Sequence, residues 1–365
     1  MTIRSLLPTL ACFGLAAVFS NASVACGSTH EPPPLLADPT SDAGVPPNFG
    51  GNGGSGGSSG AAGSGGWLLQ GAWESVPSGT TKNLMTVYGF GAADVWIGGE
   101  KGTLLHWDGA TLKPAAAAIS NDIGTIFGTT AMDVWALSAL PTDPLSAVSM
   151  HKTSGDWFPG PTPKVVDPDV TKLSFTGMFG RNKDELWATD RAININDKPS
   201  GIYKWDGSAW TYQFDGNLDG IWGASSGPIW AVGAGGTLRR YDDKWSIADS
   251  DLAGPLHAVH GTGPTDVWAV GTTKVADGVG DAFIMHYDGT AWAAAQVSSK
   301  TDLRAVVARS ATDAWAMGSA GGVLHWDGTA WTVSESLGNQ TLRAAWTNNQ
   351  EMWLVGDGGV VFHYH

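Results

Sequence analysis

One short phrase recurs seven times between Leu84 and the C-terminus, and no other feature constrains the fold as strongly. The clearest copies read D-V-W-I-G-G (Asp94–Gly99), D-V-W-A-V-G (residues 266–271) and D-A-W-A-M-G (Asp313–Gly318). The other copies centre on Trp135, Trp187, Trp230 and Trp353, and successive tryptophans lie 38 to 52 residues apart. This period is too long for leucine-rich or ankyrin repeats and matches the four-stranded blade of a β-propeller.

The sixth copy shows how one blade is encoded. An apolar run at residues 303–308 predicts the innermost strand, and Asp313–Gly318 predicts the second. Residues 323–326 and 329–333 predict the third and fourth strands. The pairs Gly321-Gly322 and Asp327-Gly328 between these segments are typical of tight hairpin turns.

The seventh copy indicates how the ring closes. It has three strand-like segments, at residues 342–347, 351–356 and 360–364, and no D-G-x-x-W segment after them. A segment of the missing kind, residues 71–76 with Trp73, precedes the first copy. We therefore expect an all-β, seven-bladed propeller of four-stranded blades in which residues 71–76 complete the last blade. Such closure removes an exposed sheet edge.

Residues 1–26 are predicted to be a lipoprotein-type signal peptide. Arg4 precedes an apolar segment at residues 6–19, and the small residues Ser23-Val24-Ala25 follow. The apolar segment is short for a membrane span. Cys26 comes directly after the small residues, as in bacterial lipoprotein signals, where that cysteine carries the lipid; those signals usually have Leu at the position of Ser23. Lipidation of Cys26 is favoured over plain secretion.

Residues 27–66 predict a flexible tether to a propeller that spans residues 67–365. The tether begins with Pro32-Pro33-Pro34, and residues 50–66 are almost entirely Gly, Ser and Ala. A chain of this composition spans about 35 Å on average, which is enough to hold a domain away from a membrane. The alternative is a disordered leader that has no function. Gly27-Ser28 contains no aspartate of the kind that retains lipoproteins in the inner membrane. An outer-membrane or cell-surface lipoprotein is expected, with a secreted protein as the alternative.

Cysteine content and charge exclude several classes of function. The chain has two cysteines, Cys12 and Cys26, and both lie in the predicted signal, so the exported domain is expected to lack disulfides and thiolate zinc sites. The 34 acidic residues outnumber the 20 Lys and Arg, which gives a net charge of −14. Because nucleic-acid binding needs a basic surface, no nucleic-acid partner is expected. Contact with a membrane is expected only through a lipid anchor, and the propeller is expected to be a monomer.

The repeat resembles a known group of proteins. Its units, such as His286-Tyr287-Asp288-Gly289 followed by Trp292, are similar to the D-V-W-A-V-G…H-[WY]-D-G-x-x-W repeats of exported bacterial β-propellers, which are often lipoproteins. Kelch, WD-repeat and Asp-box propellers are more distant relatives. The resemblance covers about four fifths of the chain. It implies the fold strongly and the function weakly, because propellers host many unrelated tasks.

Residues that recur in every blade are predicted to be structural. A residue repeated around a ring cannot converge on one substrate or one metal ion. We interpret the aspartates before the strand tryptophans as turn residues whose carboxylates accept backbone N–H bonds, and the tryptophans as core wedges between blades. The recurring residues are Asp94, Asp133, Asp266 and Asp313, with Glu185, Pro228 and Glu351 in the other copies, and His106, His151, His286, His325 and His363.

No catalytic constellation emerges, so the protein is not expected to be an enzyme and no cofactor or metal is expected. A sialidase would need three converging arginines and a tyrosine nucleophile with its glutamate. Arg239, Arg240 and Arg309 instead occupy ordinary repeat positions. A kelch-type copper oxidase would need a cysteine linked to tyrosine, and the predicted propeller has no cysteine.

Differences between the copies point to a candidate ligand-binding site. At the second position of the innermost strand, Asp219, His257, Arg304 and Arg343 replace the uncharged residues of blades one to three. They predict a polar arc at the channel mouth, on the face that carries the hairpins between second and third strands. An ion-pair cluster and a ligand site are equally compatible with it. The fifth position, which we interpret mainly as packing, reads Tyr88, Phe127, Phe179, Trp222, His260, Val307 and Trp346.

The hairpins on that face are longer in blades two, three and five, and loops on a rigid scaffold commonly carry binding. The blade-three hairpin contains Asp190, Asn194, Asn196 and Asp197, but their spacing matches no established calcium loop. A polar, solvated hairpin is the favoured interpretation.

The sequence favours a surface-tethered, non-enzymatic recognition module that binds protein or glycan through the face with the long hairpins. One alternative is a lectin-like glycan reader or carbohydrate-active enzyme, for which two carboxyl groups converging at the channel mouth would be the signature. A structural lipoprotein of the cell envelope is the other alternative.

Overall fold

The structure is a computed structural model that describes residues 71–139, 149–153, 155–161, 173–191, 200–248, 254–273 and 280–365. The predicted signal, the tether and Cys26 lie outside these residues. Within them the chain forms seven four-stranded antiparallel sheets. No helix among these residues has the length and apolar character of a membrane span.

The strands follow one another in a regular order. Those that open the chain and form blades 1 to 3 are β1 (Trp73–Ser75), β2 (Leu84–Gly91), β3 (Asp94–Gly99), β4 (Thr103–Trp107), β5 (Leu112–Pro114), β6 (Asp122–Thr130), β7 (Asp133–Ala139), β8 (Ser149–Thr153), β9 (Asp156–Pro159), β10 (Phe175–Asn182), β11 (Glu185–Asp190), β12 (Gly201–Trp205) and β13 (Trp210–Asp215). Those of blades 4 to 7 are β14 (Leu218–Gly223), β15 (Ile229–Gly233), β16 (Thr237–Tyr241), β17 (Trp245–Ile247), β18 (Leu256–Gly263), β19 (Asp266–Thr272), β20 (Ala282–Tyr287), β21 (Trp292–Ala295), β22 (Leu303–Ser310), β23 (Asp313–Gly318), β24 (Gly322–Trp326), β25 (Trp331–Ser336), β26 (Leu342–Thr347), β27 (Met352–Gly356) and β28 (Val361–Tyr364).

Each blade is a meander in which sequence order equals spatial order. The first strand of each blade lines the centre of the ring, and the fourth lies at its rim. The second strands are buried on both faces, which explains their continuous apolar sequences: in β23 every residue after Asp313 is buried. The fourth strands are mostly exposed, as in β25 after Trp331.

The N-terminal strand closes the ring, as the sequence predicted. Blade 7 has the spatial order β1, β28, β27, β26, and Trp73 is the register partner of Tyr364. Backbone hydrogen bonds from Ala72 N to His365 O and from Val76 N to Val361 O extend the pairing at both ends. The side chain of Trp73 meets Trp315 edge-to-face at 6.1 Å, the arrangement that Trp331 makes with Trp268 at 5.3 Å. The seven-bladed architecture is therefore confirmed.

The core of the ring consists of seven apolar clusters, each shared between two neighbouring blades. The second-strand tryptophan of one blade inserts among aromatic residues of the next. Trp268 of blade 5, for example, packs 5.1 Å from Trp326 and 5.3 Å from Trp331 of blade 6. The interpretation of these tryptophans as wedges is confirmed, and truncating one to Ala should cost about 3–5 kcal/mol.

The repeated aspartates serve a different purpose from the one expected. Asp94 accepts a hydrogen bond from His106 Nε2 at 2.7 Å and another from Trp96 Nε1 at 2.9 Å, and it does not act mainly on backbone N–H groups. The bound imidazole lies flat on the tryptophan ring, with centroids 4.1 Å apart. The hydrogen bond between histidine and acid and the stacking of the imidazole on the tryptophan recur at Asp133–His151–Trp135, Asp266–His286–Trp268, Asp313–His325–Trp315 and Glu351–His363–Trp353.

The interpretation as backbone-capping turn residues was therefore wrong, although the role is structural. Trp96 and His106 are register partners on β3 and β4, so the hairpin itself brings the rings face to face. A carboxylate that accepts from Nε2 fixes the proton on that nitrogen. Burial alone would raise the pKa of Asp313, but hydrogen bonds from His325 and Arg309 outweigh it and hold this pKa below the ordinary value of 3.8.

Blades 3 and 4 fill the histidine position with a cation. Lys204 Nζ lies 4.8 Å from the ring centroid of Trp187, and the Arg240 guanidinium lies 5.3 Å from that of Trp230. A cation over an indole face is attracted by the ring electrons. In these two blades Glu185 or Pro228 occupies the position of the repeated aspartate, whereas blade 7 combines Glu351 with His363.

The D-G-x-x-W segments form tight turns capped by their own aspartate. Asp327 accepts backbone N–H bonds from Thr329 at 2.8 Å and Ala330 at 2.9 Å. Asp108, Asp206 and Asp288 repeat this pattern in their blades. The Thr329 hydroxyl and these backbone donors lower the pKa of Asp327 to about 2.

We predict that ring closure depends on β1. Two truncated chains separate the possibilities: one begins at residue 71 and keeps β1, and the other begins at residue 77 and lacks it. The first should melt at the temperature of the full chain. The second exposes the edge of β28 and removes Trp73 from the core, a loss of several kcal/mol against a total stability of about 5–15 kcal/mol. Equal melting temperatures and solubility for both chains would contradict the closure.

Candidate functional site

In each blade a β-bulge in the innermost strand orients the residue at the second position, and the four residues of the predicted arc are among these. In all seven blades the innermost strand shifts register at its second position, between Leu256 and Ala258 in blade 5, for example. The residue inside each shift has no partner on the second strand. These residues are Met85, Gly124, Thr176, Asp219, His257, Arg304 and Arg343. Bulges re-aim side chains, and here they turn one residue per blade toward the channel.

A single cavity of about 780 Å³ runs through the centre of the ring. Its wall includes all seven bulge residues and six of the seven residues at the fifth position. The innermost strands begin at the face that carries the second-to-third-strand hairpins, because Leu303 pairs with Gly318 at the end of β23. The bulge residues therefore surround the channel mouth on that face, as expected.

Short turns give this mouth a rigid rim. In blades 1, 4, 6 and 7 the second and third strands are joined by one turn of 3-10 helix, at Glu100–Gly102, Ala234–Gly236, Ser319–Gly321 and Asp357–Gly359. Gly102 N donates to Asn121 O of the next blade at 2.9 Å. A side chain at Gly359 would meet Thr80 O at 2.0 Å, so glycine is required where the last blade meets the first.

Three of the four arc residues belong to one charged chain across blades 3 to 6. Asp219 accepts a hydrogen bond from His257 Nδ1 at 2.9 Å and forms an ion pair with Arg191 Nε at 3.1 Å. On the other side of the imidazole, His257 Nε2 lies 3.4 Å from Asp302 Oδ1, and Asp302 in turn pairs with Arg304. The order is Arg191, Asp219, His257, Asp302, Arg304, and we call it the mouth network.

Arg343 does not join the mouth network. Its guanidinium pairs side-on with both carboxylate oxygens of Asp357, the first residue of the blade-7 turn. The predicted arc is therefore divided into a connected part and a separate arginine. Sequence reasoning missed Arg191, Asp302 and Asp357, which lie one or a few residues outside the repeated positions.

The network is almost sealed at its centre and open at its ends. The side chains of Asp219 and His257 are 7% and 10% exposed, whereas those of Arg191 and Arg304, at the two ends, are 45% and 35% exposed. The aspartates thus orient arginines whose remaining N–H groups face solvent at the mouth.

The contacts of the mouth network raise the pKa of His257 and lower the pKa of Asp302. Burial by itself lowers the pKa of His257, but hydrogen bonds to Asp219 and Asp302 outweigh it and place this pKa above 6.5. Burial likewise would raise the pKa of Asp302, but His257 and Arg304 outweigh it and place that pKa below 3.8. Both shifts favour the charged forms that hold the network together.

Deeper in the channel, the fifth-position residues form what we call the aromatic belt: Tyr88, Phe127, Phe179, Trp222, His260 and Trp346. Neighbouring rings lie close, with 5.1 Å between Tyr88 and Phe127 and 5.7 Å between Trp222 and His260. A side chain at Gly261 would meet the Trp222 ring at 2.9 Å, so that ring lies against the backbone of the next blade. The belt packs between blades, as interpreted, and also forms the channel wall.

Asp190 is the first of the polar residues predicted in the blade-three hairpin. Asp190 is buried and accepts a hydrogen bond from Ser174 N, and Asn194, Asn196 and Asp197 lie outside the described residues. The described part of the chain contains no group of three or more His, Cys, Asp or Glu side chains placed to hold a metal ion.

Comparison with known proteins supports the fold. No protein-family model and no curated protein matches the chain. The solved structure of YCF48 bound to a D1 peptide aligns with a TM-score of 0.60 at 16% identity, over 80% of this chain and 96% of that one. YCF48 from Cyanidioschyzon merolae aligns with a TM-score of 0.61 at 15% identity, over 80% and 98%. At these identities the likeness establishes the β-propeller architecture alone.

We predict that His257 makes the stability of the ring depend on pH above 6.5. A pKa raised above the unfolded value of 6.5 gives a contribution that is fully present below pH 6.5 and lost as the pH rises through the folded value. The stability difference between the wild type and His257→Asn, which keeps polar atoms but does not titrate, should therefore shrink from pH 6 to 9. Urea unfolding at each pH measures it. A constant difference would show that the imidazole is not charged in the network.

Proposed function

We propose that this protein is a surface-tethered, non-enzymatic recognition module that binds a protein partner across the face around the channel mouth. The observation that carries the proposal is the mouth itself. It is the place where the blades differ in charge, and bulges in all seven inner strands direct the varying side chains there. A ring built for stability alone does not need a charged half opposite an uncharged one.

The position of the arginines supports binding at this face. Arg191, Arg304 and Arg343 each pair with an aspartate and remain at least one-third exposed. Arginine is enriched at protein interfaces, and a guanidinium already oriented by an aspartate loses little side-chain entropy on binding. The strand ends that the longer second-to-third-strand connections of blades 2, 3 and 5 join lie on the same face.

The chemistry of the mouth argues against glycoside hydrolysis, the enzymatic alternative. Asp219 and Asp302 do converge, from opposite sides of His257. Hydrolysis of a glycoside needs one carboxyl group that stays protonated to donate to the leaving oxygen. Asp302 has a lowered pKa, and each carboxylate is paired with an arginine. This pair of acids therefore lacks the proton donor.

The comparison with solved structures is consistent with a protein partner. One of the two similar propellers, YCF48, was solved with a D1 peptide bound to it. That binding belongs to the other protein, and it is a precedent for peptide capture by a β-propeller of similar fold.

Site-specific photocrosslinking in cells tests the proposed face. A photoreactive residue at Lys101 or Ala320, both exposed on turns at the mouth, should give a crosslink to one defined protein. The same residue at Ala92 or Thr329, exposed on the opposite face, is the matched control and should not. Arg191→Gln and Arg343→Gln should weaken the crosslink several-fold, and the melting temperature of each variant shows that it is still folded in the crosslinking experiment.

Crosslinks from the opposite face alone would contradict the proposed surface. If neither face captures a protein and the purified domain binds defined glycans on an array instead, the lectin-like alternative replaces the proposal.

We also propose that Cys26 carries a lipid and that residues 27–66 tether the propeller to the outer membrane or cell surface. The apolar segment, the small residues before Cys26 and the Gly-rich segment after it support this. Mass spectrometry of the mature protein should show an acylated cysteine as its first residue. Cys26→Ala should release the protein into the soluble fraction. An unmodified N-terminus, or a mature chain that begins elsewhere, would contradict the anchor.

A further inference from the structure

The aromatic belt is chemically divided into two halves. On the side of blades 1 to 3 it consists of Tyr88, Phe127 and Phe179, and the Tyr88 hydroxyl donates its proton to Gly128 O at 2.9 Å. On the other side it consists of Trp222, His260 and Trp346, which carry ring N–H groups. One wall of the channel is thus apolar and the opposite wall bears hydrogen-bond donors.

These donors are free to serve a ligand. Within the described residues, Trp222 Nε1, Trp346 Nε1 and His260 Nε2 have no protein hydrogen-bond partner. They also differ from the wedge indoles, such as those of Trp187 and Trp268, whose nitrogens are sealed in the core. A channel that presents donors from aromatic rings is complementary to acceptor oxygens on a flat, apolar molecule.

The protonation of His260 is fixed by the backbone. Its Nδ1 accepts a hydrogen bond from Ala308 N at 3.1 Å, so the proton of the neutral ring lies on Nε2. Burial lowers the pKa of His260 to about 4, so the ring is neutral at neutral pH. The imidazole is therefore an N–H donor in the belt and not a proton acceptor.

The size and spacing of the belt suit a small ligand. The cavity of about 780 Å³ lies in the range of small-molecule sites, about 300–1,000 Å³. The ring centroids of Trp222 and His260 lie 5.7 Å apart on adjacent blades, so one carboxylate can contact both rings. A carboxylate offers acceptors only, which matches the ring N–H donors of Trp222, His260 and Trp346.

We propose that the aromatic belt is a binding site for an aromatic carboxylate. The carboxylate accepts hydrogen bonds from Trp222 Nε1 and His260 Nε2, and Trp346 lies two blades further round the channel wall. The aromatic body packs on Tyr88, Phe127 and Phe179 across the channel. The site lies inside the ring and is separate from the protein-binding face, so an experiment can contradict one of the two proposals without affecting the other.

Three probes that share one ring system and differ in their polar group test the chemistry. They are 2-naphthoate, 2-naphthamide and 2-naphthylmethylamine, titrated calorimetrically into the full-length protein carrying Cys26→Ala, which has no lipid. The naphthoate should bind, and the amide should bind about tenfold more weakly because a hydrogen bond to a charged group is the stronger one. The positively charged amine should not bind.

Variants that remove one donor and keep a ring test the location. Trp222→Phe and, independently, Trp346→Phe remove the indole N–H, and the first should weaken naphthoate binding about tenfold. Trp205→Phe is the matched control, since it makes the same change outside the channel and should leave the affinity unchanged. Melting temperatures confirm that each variant is folded.

The proposal is overturned if 2-naphthoate does not bind, or if the amide or amine binds as tightly as the carboxylate. It is also overturned if folded Trp222→Phe and Trp346→Phe both retain wild-type affinity. In none of these cases does the photocrosslinking result at the mouth change, so the two proposals remain separable.

Discussion

The ring depends on a tryptophan that is shared between two blades. Each second-strand indole stacks on a side chain of its own third strand and inserts among the aromatics of the next blade, as Trp315 does with His325 and Tyr364. A blade on its own would leave half of this contact in water. The stability of the ring therefore comes from the packing between neighbouring blades, as in other repeat proteins. The hydrogen bond from His325 to Asp313 contributes because it holds the imidazole in place for stacking on the tryptophan.

The fold was predictable because its signals are local and repeated. The tryptophan period predicted the blades, and the absent fourth segment of the last copy, together with Trp73, predicted the closure. The pairing of Asp94 with His106 was missed because twelve residues separate them and sequence distance does not reveal hairpin register. A partial signal was nevertheless present: the two copies that have Lys204 or Arg240 in place of the histidine also lack the aspartate, having Glu185 or Pro228. Comparing the copies by pairs of positions would have found it.

The candidate site was predictable only in outline. Variation at the second position identified His257 and Arg304, but nothing in the sequence marks a bulge, so the reason for their orientation was hidden. Asp302 and Arg191 escaped notice because they lie just outside the repeated strands, where each blade differs for its own reasons. The channel nonetheless shows the same asymmetry at the mouth and at the aromatic belt. At the second and fifth positions of the innermost strand, blades 1 to 3 contribute uncharged or apolar residues and most of the later blades contribute charges or ring N–H donors.

The pairing of β1 with β28 also determines when the molecule can become complete. Trp73 and Tyr364 are register partners although nearly the whole described chain separates them. Joining such distant segments costs loop entropy and slows folding. Six blades can form while the chain is being synthesised, but β1 stays unpaired until β28 has been synthesised. A chain that ends before β28 leaves β1 without a partner. Closure of the ring therefore requires that synthesis has reached β28.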